Sequence, residues 1–166
     1  CAQYSLRYEN ANILQLQVSE SISKSLELLM AEESLTGIAA FNCPVCGVEA
    51  EGVKTLHFAE APQLLFVQLM RFFQIDGQVV KKSSRVLCSS KITINVKSDG
   101  NQTVEPCSYT LTSIVSHLGS FSGGHYTFQG RCQNSGKIFM CDDLRVEELK
   151  FFEDRHAYFL VYSKGA

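Results

Sequence analysis

The sequence predicts an α+β domain with a mainly antiparallel sheet and with helix confined mostly to the front of the chain. The 166 residues are 45% hydrophobic and 19% charged, which suits one globular domain or a large piece of one. Apolar residues show helical spacing in one early segment, whereas later they alternate with polar residues or run continuously, as in strands. Turn-forming residues separate those later segments.

The front of the chain supplies a strand and a helix. Residues 14–18 alternate leucine or valine with glutamine, which predicts a short half-buried strand. Apolar residues at helical spacing, followed by a glycine stop, predict a helix over residues 21–32. Residues 64–72 form an apolar run between a proline and the hairpin dipeptide Asp76-Gly77, which predicts a buried central strand.

The rest of the chain predicts further strands, with turn signals at residues 98–101, 119–124 and 134–136. No internal repeat or low-complexity segment divides the sequence. The predicted strands cover residues 78–86, 92–96, 109–118, 125–131, 137–141 and 156–162.

Charge and hydropathy disfavour several classes of partner. A net charge of −2 and a pI near 6.1 give no general attraction to nucleic acid or to an anionic membrane. No stretch approaches the roughly 18 apolar residues that span a bilayer, and the first residues lack the pattern of a signal peptide. The seven cysteines are an odd number, which favours a reducing compartment. We expect an intracellular protein of the cytoplasm, the nucleus or both.

Cys43 and Cys46 form a CxxC motif. This spacing lets two thiolates from one tight turn reach a single tetrahedral zinc ion, and the proline and glycine around it suit such a turn. The alternatives are a pair of ordinary surface cysteines and a redox dithiol. A complete zinc site needs a second pair of ligands, and the candidates are Cys1, Cys88, Cys107, Cys132, Cys141 and the histidines.

His125 is the strongest candidate for chemistry. It follows a loop of small residues and begins a predicted strand, where a histidine can act as general base. Asp142 and Asp143 end the next predicted strand, so antiparallel pairing would bring Asp142 beside His125. The alternatives are a structural histidine and, for the two aspartates, a turn or a helix N-cap before residues 144–149. The other three histidines have no comparable setting.

Taken together, these features resemble the ubiquitin-specific protease family, papain-like cysteine peptidases that cut ubiquitin from other proteins. The resemblance covers nearly the whole chain. Its ordered landmarks are the CPVC motif at 43–46, the strand PQLLFVQLMRF at 62–72, YTL and VSHLG within 109–119, SGGHY at 122–126, CDD with the following valine at 141–146, and AYFLVY at 157–162.

The resemblance also implies how the chain is organised. The family's catalytic cysteine lies in a glycine- and asparagine-rich box ahead of the zinc fingers, and nothing in these residues resembles that box. We therefore expect a partial catalytic domain at 1–166, with a fingers region and helix at about 1–60, a palm at about 61–166, and no thumb. Alone, this chain is expected to be inactive.

Zinc is the one cofactor that the resemblance implies. Ser5, Glu9, Leu14 and Leu16 follow Cys1 at the spacing that the family shows after its first zinc CxxC. The implied ribbon therefore consists of Cys1, Cys43 and Cys46, and its fourth cysteine is not in this sequence. A site with three thiolates binds zinc less securely than one with four.

The resemblance assigns roles to the residues near His125. In the family mechanism, His125 deprotonates the catalytic cysteine and Asp142 orients the imidazole. Gly123, Gly124, Tyr126 and Asp143 are implied to contact the ubiquitin tail. The implied partners are ubiquitin and ubiquitinated proteins, with no nucleic acid and no membrane.

Two other interpretations compete with a deubiquitinating thiol protease. One is a non-catalytic ubiquitin-binding or scaffold protein of the same ancestry, although retention of both His125 and Asp142 argues against it. The other is a zinc-knuckle interaction module with a coincidental histidine and aspartate. One departure from the family lies ahead of the acid. Where the family usually has a tryptophan and aromatic residues, this chain has Ile138, Phe139, Met140 and Cys141, so the packing behind Asp142 is expected to differ.

Overall fold

The computed structural model describes residues 4–97 and 103–165, so Cys1 and the predicted turn at 98–101 lie outside the described residues. Within these ranges the chain forms one α-helix, a 3-10 turn at Gly37–Ala39, and fourteen strands. The elements are β1 Leu14–Gln17, α1 Ile22–Met30, β2 Glu33–Leu35, β3 Phe41–Asn42, β4 Glu49–Ala50, β5 Gly52–Lys54, β6 Leu64–Met70, β7 Phe72–Ile75, β8 Gln78–Lys81, β9 Lys91–Val96, β10 Glu105–Gly119, β11 Gly124–Arg131, β12 Ile138–Asp142, β13 Arg145–Leu149 and β14 Ala157–Lys164.

Most strands form one mixed sheet of eight. Its order is β1-β6-β14-β10-β11-β12-β13, and β9 pairs with the front half of β10. The pairing of β1 with β6 is parallel, and every other ladder of this sheet within the described ranges is antiparallel. This confirms an α+β fold with a mainly antiparallel sheet.

The helix α1 and one face of the sheet enclose the hydrophobic core. The helix begins after Ser21, whose hydroxyl oxygen accepts a hydrogen bond from the amide of Lys24 at 3.1 Å, a typical N-cap. It ends at Met30 and not at residue 32 as predicted, because Ala31 is extended and leads into β2. The core side chains include Leu16, Ile22, Leu26, Val67, Leu69, Ile94, Leu111, Ile114 and Leu160.

Arg71 interrupts the strand predicted over residues 64–72. Its amide donates to the carbonyl of Leu69 at 2.8 Å, which bends the backbone and directs β7 away from the main sheet. Its buried guanidinium donates to the carbonyls of Lys82 and Ser84 at 2.9 and 2.8 Å, and residues 82–86 form no strand. The predicted strand 78–86 therefore ends at Lys81.

The segment after Asp142 is a strand. Of the two alternatives for the aspartates, the turn is present at residues 143–144, whereas no helix follows it. Instead β13 pairs with β12 in antiparallel register, from Asp142 opposite Arg145 to Ile138 opposite Leu149. Asp143 takes a left-handed φ of 50° in the connecting turn, which aspartate tolerates better than most residues. Strand pairing at the sheet edge therefore overrides the weak local signal.

Residues 33–54, in the part of the chain predicted to form a fingers region, contain two small two-stranded sheets, β2 with β5 and β3 with β4. The CPVC motif forms the turn between β3 and β4, where the amide of Cys43 donates to Val48 at 3.0 Å and that of Gly47 donates to Cys43 at 2.9 Å. Separately, no helix in residues 4–97 and 103–165 is long and apolar enough to cross a membrane.

Candidate active site

His125 and Asp142 meet at one end of the β11 and β12 hairpin. The register places Cys141 opposite Phe128, so Asp142 lies diagonal to His125 across the ladder. Diagonal positions on one face of a sheet are within reach of long side chains. Nε2 of His125 and Oδ1 of Asp142 are 2.5 Å apart, and the two side chains are 47% and 42% exposed.

This pairing defines the state of the imidazole. The hydrogen bond that His125 donates to Asp142 is the main cause that raises the pKa of His125 above its ordinary 6.5, and the charges of Asp142 and Asp143 add to it. When the ring is neutral and donates its Nε2 proton to Asp142, the lone pair lies on Nδ1. Nδ1 is thus the atom that remains to accept a proton from a nucleophile.

Asp143 adds a second carboxylate at this end of the β11 and β12 hairpin. Ligand atoms of His125, Asp142 and Asp143 all lie within 4.8 Å of one another, the one three-residue cluster with metal-ligand spacing in the part of the chain that is described. Exposed carboxylates often cluster without an ion, and the short contact between His125 and Asp142 already uses two of these ligands on each other. We therefore interpret the cluster as a histidine hydrogen-bonded to a carboxylate, with a second carboxylate nearby, and not as a metal site.

A tight loop precedes His125. The amide of Ser120 donates to Gly123 at 2.9 Å, and Gly119 has a φ of +95°, a conformation that favours glycine. A Cβ on Gly123 would meet no atom within 4 Å, so this residue is open to a ligand. A Cβ on Gly124 would collide with the ring of His117 and would lie 2.6 Å from the carbonyl oxygen of Leu118. Gly124 is therefore required by the packing of the chain itself.

Replacing Gly124 with alanine should distort this loop. Because neither the ring of His117 nor the backbone of β10 can yield without repacking, we expect a loss of about 1–3 kcal/mol in the free energy of unfolding. Urea unfolding of the 166-residue chain measures it. Gly123→Ala is the matched control and should change stability by less than about 0.5 kcal/mol. Equal losses in the two variants would contradict the collision.

A cluster of aromatic rings surrounds His117, next to the loop that precedes His125. His117, 4% exposed, packs against Phe72 and Tyr126 with ring centroids 5.4 and 4.8 Å apart, and Tyr158 lies 5.9 Å away. Burial, with the nearby charge of Lys81, lowers the pKa of His117. Tyr126 itself remains 55% exposed beside the loop.

The cysteines described here lie away from His125 or face away from it. Cys141 precedes Asp142 on a strand and so points to the opposite face. Cys132 follows the far end of β11, about 20 Å along the strand from His125. Cys88 and Cys107 pack against the core, and burial raises the pKa of Cys88 to about 12. Cys43 and Cys46 lie in the turn between β3 and β4.

The structure also brings in residues that the sequence analysis did not select. Lys81, at the end of β8, donates from Nζ to the carbonyls of His117 and Gly119 at 2.7 and 2.9 Å. No local pattern marks this lysine, since its partners lie far along the chain. His117 could have been selected only by its place in the VSHLG landmark.

A mainly antiparallel sheet of this order, with a histidine and an aspartate paired at the ends of neighbouring strands, has the architecture of a papain-like cysteine peptidase. The model of the family described as ubiquitin carboxyl-terminal hydrolase matches residues 9–162. The chain belongs to this family.

Known proteins agree with that assignment. The human ubiquitin carboxyl-terminal hydrolase 17-like protein 15 is 28% identical over 154 residues, which cover 90% of this chain and 27% of the relative. The mouse ubiquitin carboxyl-terminal hydrolase 43 is 30% identical over 173 residues, which cover 89% of this chain and 15% of the relative. The chain thus spans less than a third of either relative.

A solved structure supports the fold. Ubp8 of the SAGA DUB module, in a complex with Sgf11, Sus1 and Sgf73 bound to ubiquitin aldehyde, superposes with a TM-score of 0.80. The match is 22% identical and covers 92% of this chain and 36% of that one.

Proposed function

We propose that this chain is the part of a deubiquitinating thiol protease that supplies the general base, His125, and its orienting acid, Asp142. The observation that carries the proposal is the 2.5 Å contact between Nε2 and Oδ1, which leaves Nδ1 for a thiol. Family membership supports the same reaction class. The nucleophilic cysteine is proposed to come from sequence outside these 166 residues, since none of the described cysteines has a suitable setting.

The contact between His125 and Asp142 supports the following proposed reaction. Nδ1 of His125 takes the thiol proton, and the thiolate attacks the carbonyl carbon of the last glycine of ubiquitin. The tetrahedral intermediate collapses to a thioester while the imidazolium returns the proton to the leaving amine. His125 then removes a proton from water, which hydrolyses the thioester and frees the cysteine. Asp142 keeps the ring in place and stabilises its charged form throughout.

Ubiquitin is the proposed partner. The solved Ubp8 structure has ubiquitin aldehyde bound, and the chain described here shares its fold. The tail of ubiquitin is proposed to pass Gly123, Gly124, Tyr126 and Asp143, because Gly123 is open and Tyr126 is exposed beside His125. Ubiquitinated proteins are then the substrates, and an intracellular location belongs to the same proposal.

A ubiquitin probe with a C-terminal propargyl group tests the function. The probe should label the longest natural protein product that contains this chain, whereas the 166-residue chain alone should stay unlabelled and should not cleave ubiquitin conjugates. Failure of the longest product to label would favour the non-catalytic ubiquitin-binding interpretation. Cleavage by the short chain, lost on changing one of its cysteines, would place the nucleophile within it.

A structural zinc in the fingers is a second part of the proposal. Hydrogen bonds from the amides of Cys46 and Val45 lower the pKa of the Cys43 thiol, which suits a metal ligand, and the tight turn presents both thiols of the CPVC motif. Zinc would tie this turn to a second pair of ligands, for which the resemblance to the family assigns Cys1.

The 166-residue chain by itself should bind zinc weakly. At neutral pH we expect clearly less than one zinc per chain after gel filtration, because at most three of the proposed thiolates are present. Elemental analysis by mass spectrometry measures it. Cys46→Ser should remove the residual zinc, and Cys88→Ser, at the core, should not. One tightly held zinc per chain would contradict the expected weakness.

A further inference from the structure

Lys81 caps the end of β10. The ladder between β10 and β14 ends where Ser116 meets Ala157, and the next amide, that of His117, donates to the carbonyl of His156 at 3.0 Å. β14 begins at Ala157, so it has no residue that could pair with β10 beyond this point. Nζ of Lys81 lies there and donates to the carbonyls of His117 and Gly119 at 2.7 and 2.9 Å. Carbonyls of alternate residues share one edge of a strand, so a single ammonium reaches both.

The charged ammonium of Lys81 is engaged by the two carbonyls of β10 and not by a carboxylate. Lys81 takes part in none of the ion pairs found among the described residues, and its Nζ lies 5.9 Å from the centroid of the Phe72 ring. The charged group that acts on it is another cation, Arg71. The ammonium is therefore held by two carbonyl oxygens and a ring, in a place where a partly buried cation is otherwise unfavourable.

The end of β10 that Lys81 contacts is paired with the start of β11, which carries His125. Leu118 pairs with His125 and Gly119 pairs with Gly124 in the register of β10 and β11. The ring of His117 packs on Gly124, the residue before His125. A shift in the last residues of β10 therefore moves the start of β11, and with it the imidazole that must meet Asp142.

We infer that Lys81 is a positioning residue of the candidate active site, which fixes the end of β10 and thereby the placement of His125. The inference deepens the proposed function and rests on it, because a positioning role requires that His125 act as the base. Lys81 belongs to the β7 and β8 hairpin, which is not part of the main sheet. Its ammonium thus supplies the hydrogen bonds that the end of β10 lacks beside the candidate active site. Small displacements of catalytic groups reduce rates strongly.

The first test uses the 166-residue chain and needs neither a nucleophile nor ubiquitin. Lys81→Met keeps the length of the side chain and removes its donors. Amide hydrogen exchange at Gly119, Gly124 and His125 should become ~10-fold faster or more, because the strand end opens more readily. The titration of His125, followed by NMR, should move down toward its ordinary pKa as the contact with Asp142 loosens.

Matched variants separate this role from general destabilisation. Lys81→Arg should restore both readouts, since a guanidinium can donate to both carbonyls, and Lys81→Gln, with a shorter side chain, should give an intermediate effect if the methionine variant does not fold. Lys82→Met is the control, because Nζ of Lys82 donates to the carbonyl of Val18, away from the loop. Exchange and titration unchanged in Lys81→Met, or changed equally in Lys82→Met, would overturn the inference.

A second test uses the longest natural product. There, Lys81→Met should lower kcat for a fluorogenic ubiquitin substrate ~10-fold or more, and Lys81→Arg should restore it. A labelled, active protein with an unaffected Lys81→Met variant would overturn the positioning role alone. An unlabelled wild-type protein would overturn the proposed function, while the NMR result on the short chain would still report whether Lys81 holds His125.

Discussion

Replacing His125 with glutamine in the longest natural product should lower kcat/KM for a fluorogenic ubiquitin substrate by ~10³-fold or more. Glutamine roughly keeps the polar shape but cannot exchange a proton near neutral pH. The nucleophilic thiol would then lose the base at Nδ1, and the leaving amine would lose its acid. Steady-state hydrolysis, with probe labelling as a second readout, measures the loss.

His57→Gln is the matched control for this variant. His57 is exposed and lies in the segment before β6. Its replacement should leave kcat/KM within about twofold, as for most surface changes. Similar losses in the two variants, or retention of activity in His125→Gln, would remove His125 from the mechanism.

Replacing Asp142 with alanine should lower kcat by ~10²-fold or more, because the imidazole loses the group that holds its orientation and tautomer. Asp142→Asn separates the two contributions of this residue. The amide oxygen can still accept the Nε2 proton, so the asparagine variant should retain more activity than the alanine variant. Both variants lack the negative charge, so both should lower the pKa of His125. Equal activities of wild type and Asp142→Ala would contradict the orienting role.

The pH dependence of stability tests the same contact. Because Asp142 raises the pKa of folded His125 above its ordinary 6.5, the stability that the charged pair contributes is fully present below pH 6.5. It is lost as the pH rises through the raised pKa. Wild type and Asp142→Asn should therefore differ in urea midpoint near pH 6 and converge at alkaline pH. Asp143→Asn is the control and should show a smaller difference, since Asp143 is the weaker cause.

Local patterns predicted most of the elements. Helical spacing identified α1, a continuous apolar run identified β6, and strand patterns with turn signals identified β1, β9 to β12 and β14, with ends mostly within a few residues of those observed. Asp76-Gly77 forms the predicted hairpin turn, and both residues have positive φ. These features depend on neighbours in sequence, which is why a single sequence reveals them.

Other features depend on partners that are distant in sequence. The break at Arg71 arises because its guanidinium binds carbonyls on the segment after β8, and β13 forms because β12 offers it an edge. The place of β14 between β6 and β10, and the parallel pairing of β1 with β6, likewise follow from burial of the core. No local period encodes which strands become neighbours.

The candidate site shows the same division. The sequence by itself determined that a histidine after a small-residue loop and an aspartate at the next strand end are present, because side-chain chemistry and turn preference are local properties. The tertiary structure alone decided that Nε2 of His125 meets Oδ1 of Asp142, which lies diagonally across the ladder. It also decided that the ring of His117 leaves no room for a side chain at Gly124. The contact of Lys81 with the end of β10 likewise arises only in the folded chain. These contacts join segments that only the assembled sheet brings together, so they exist only after the chain has folded.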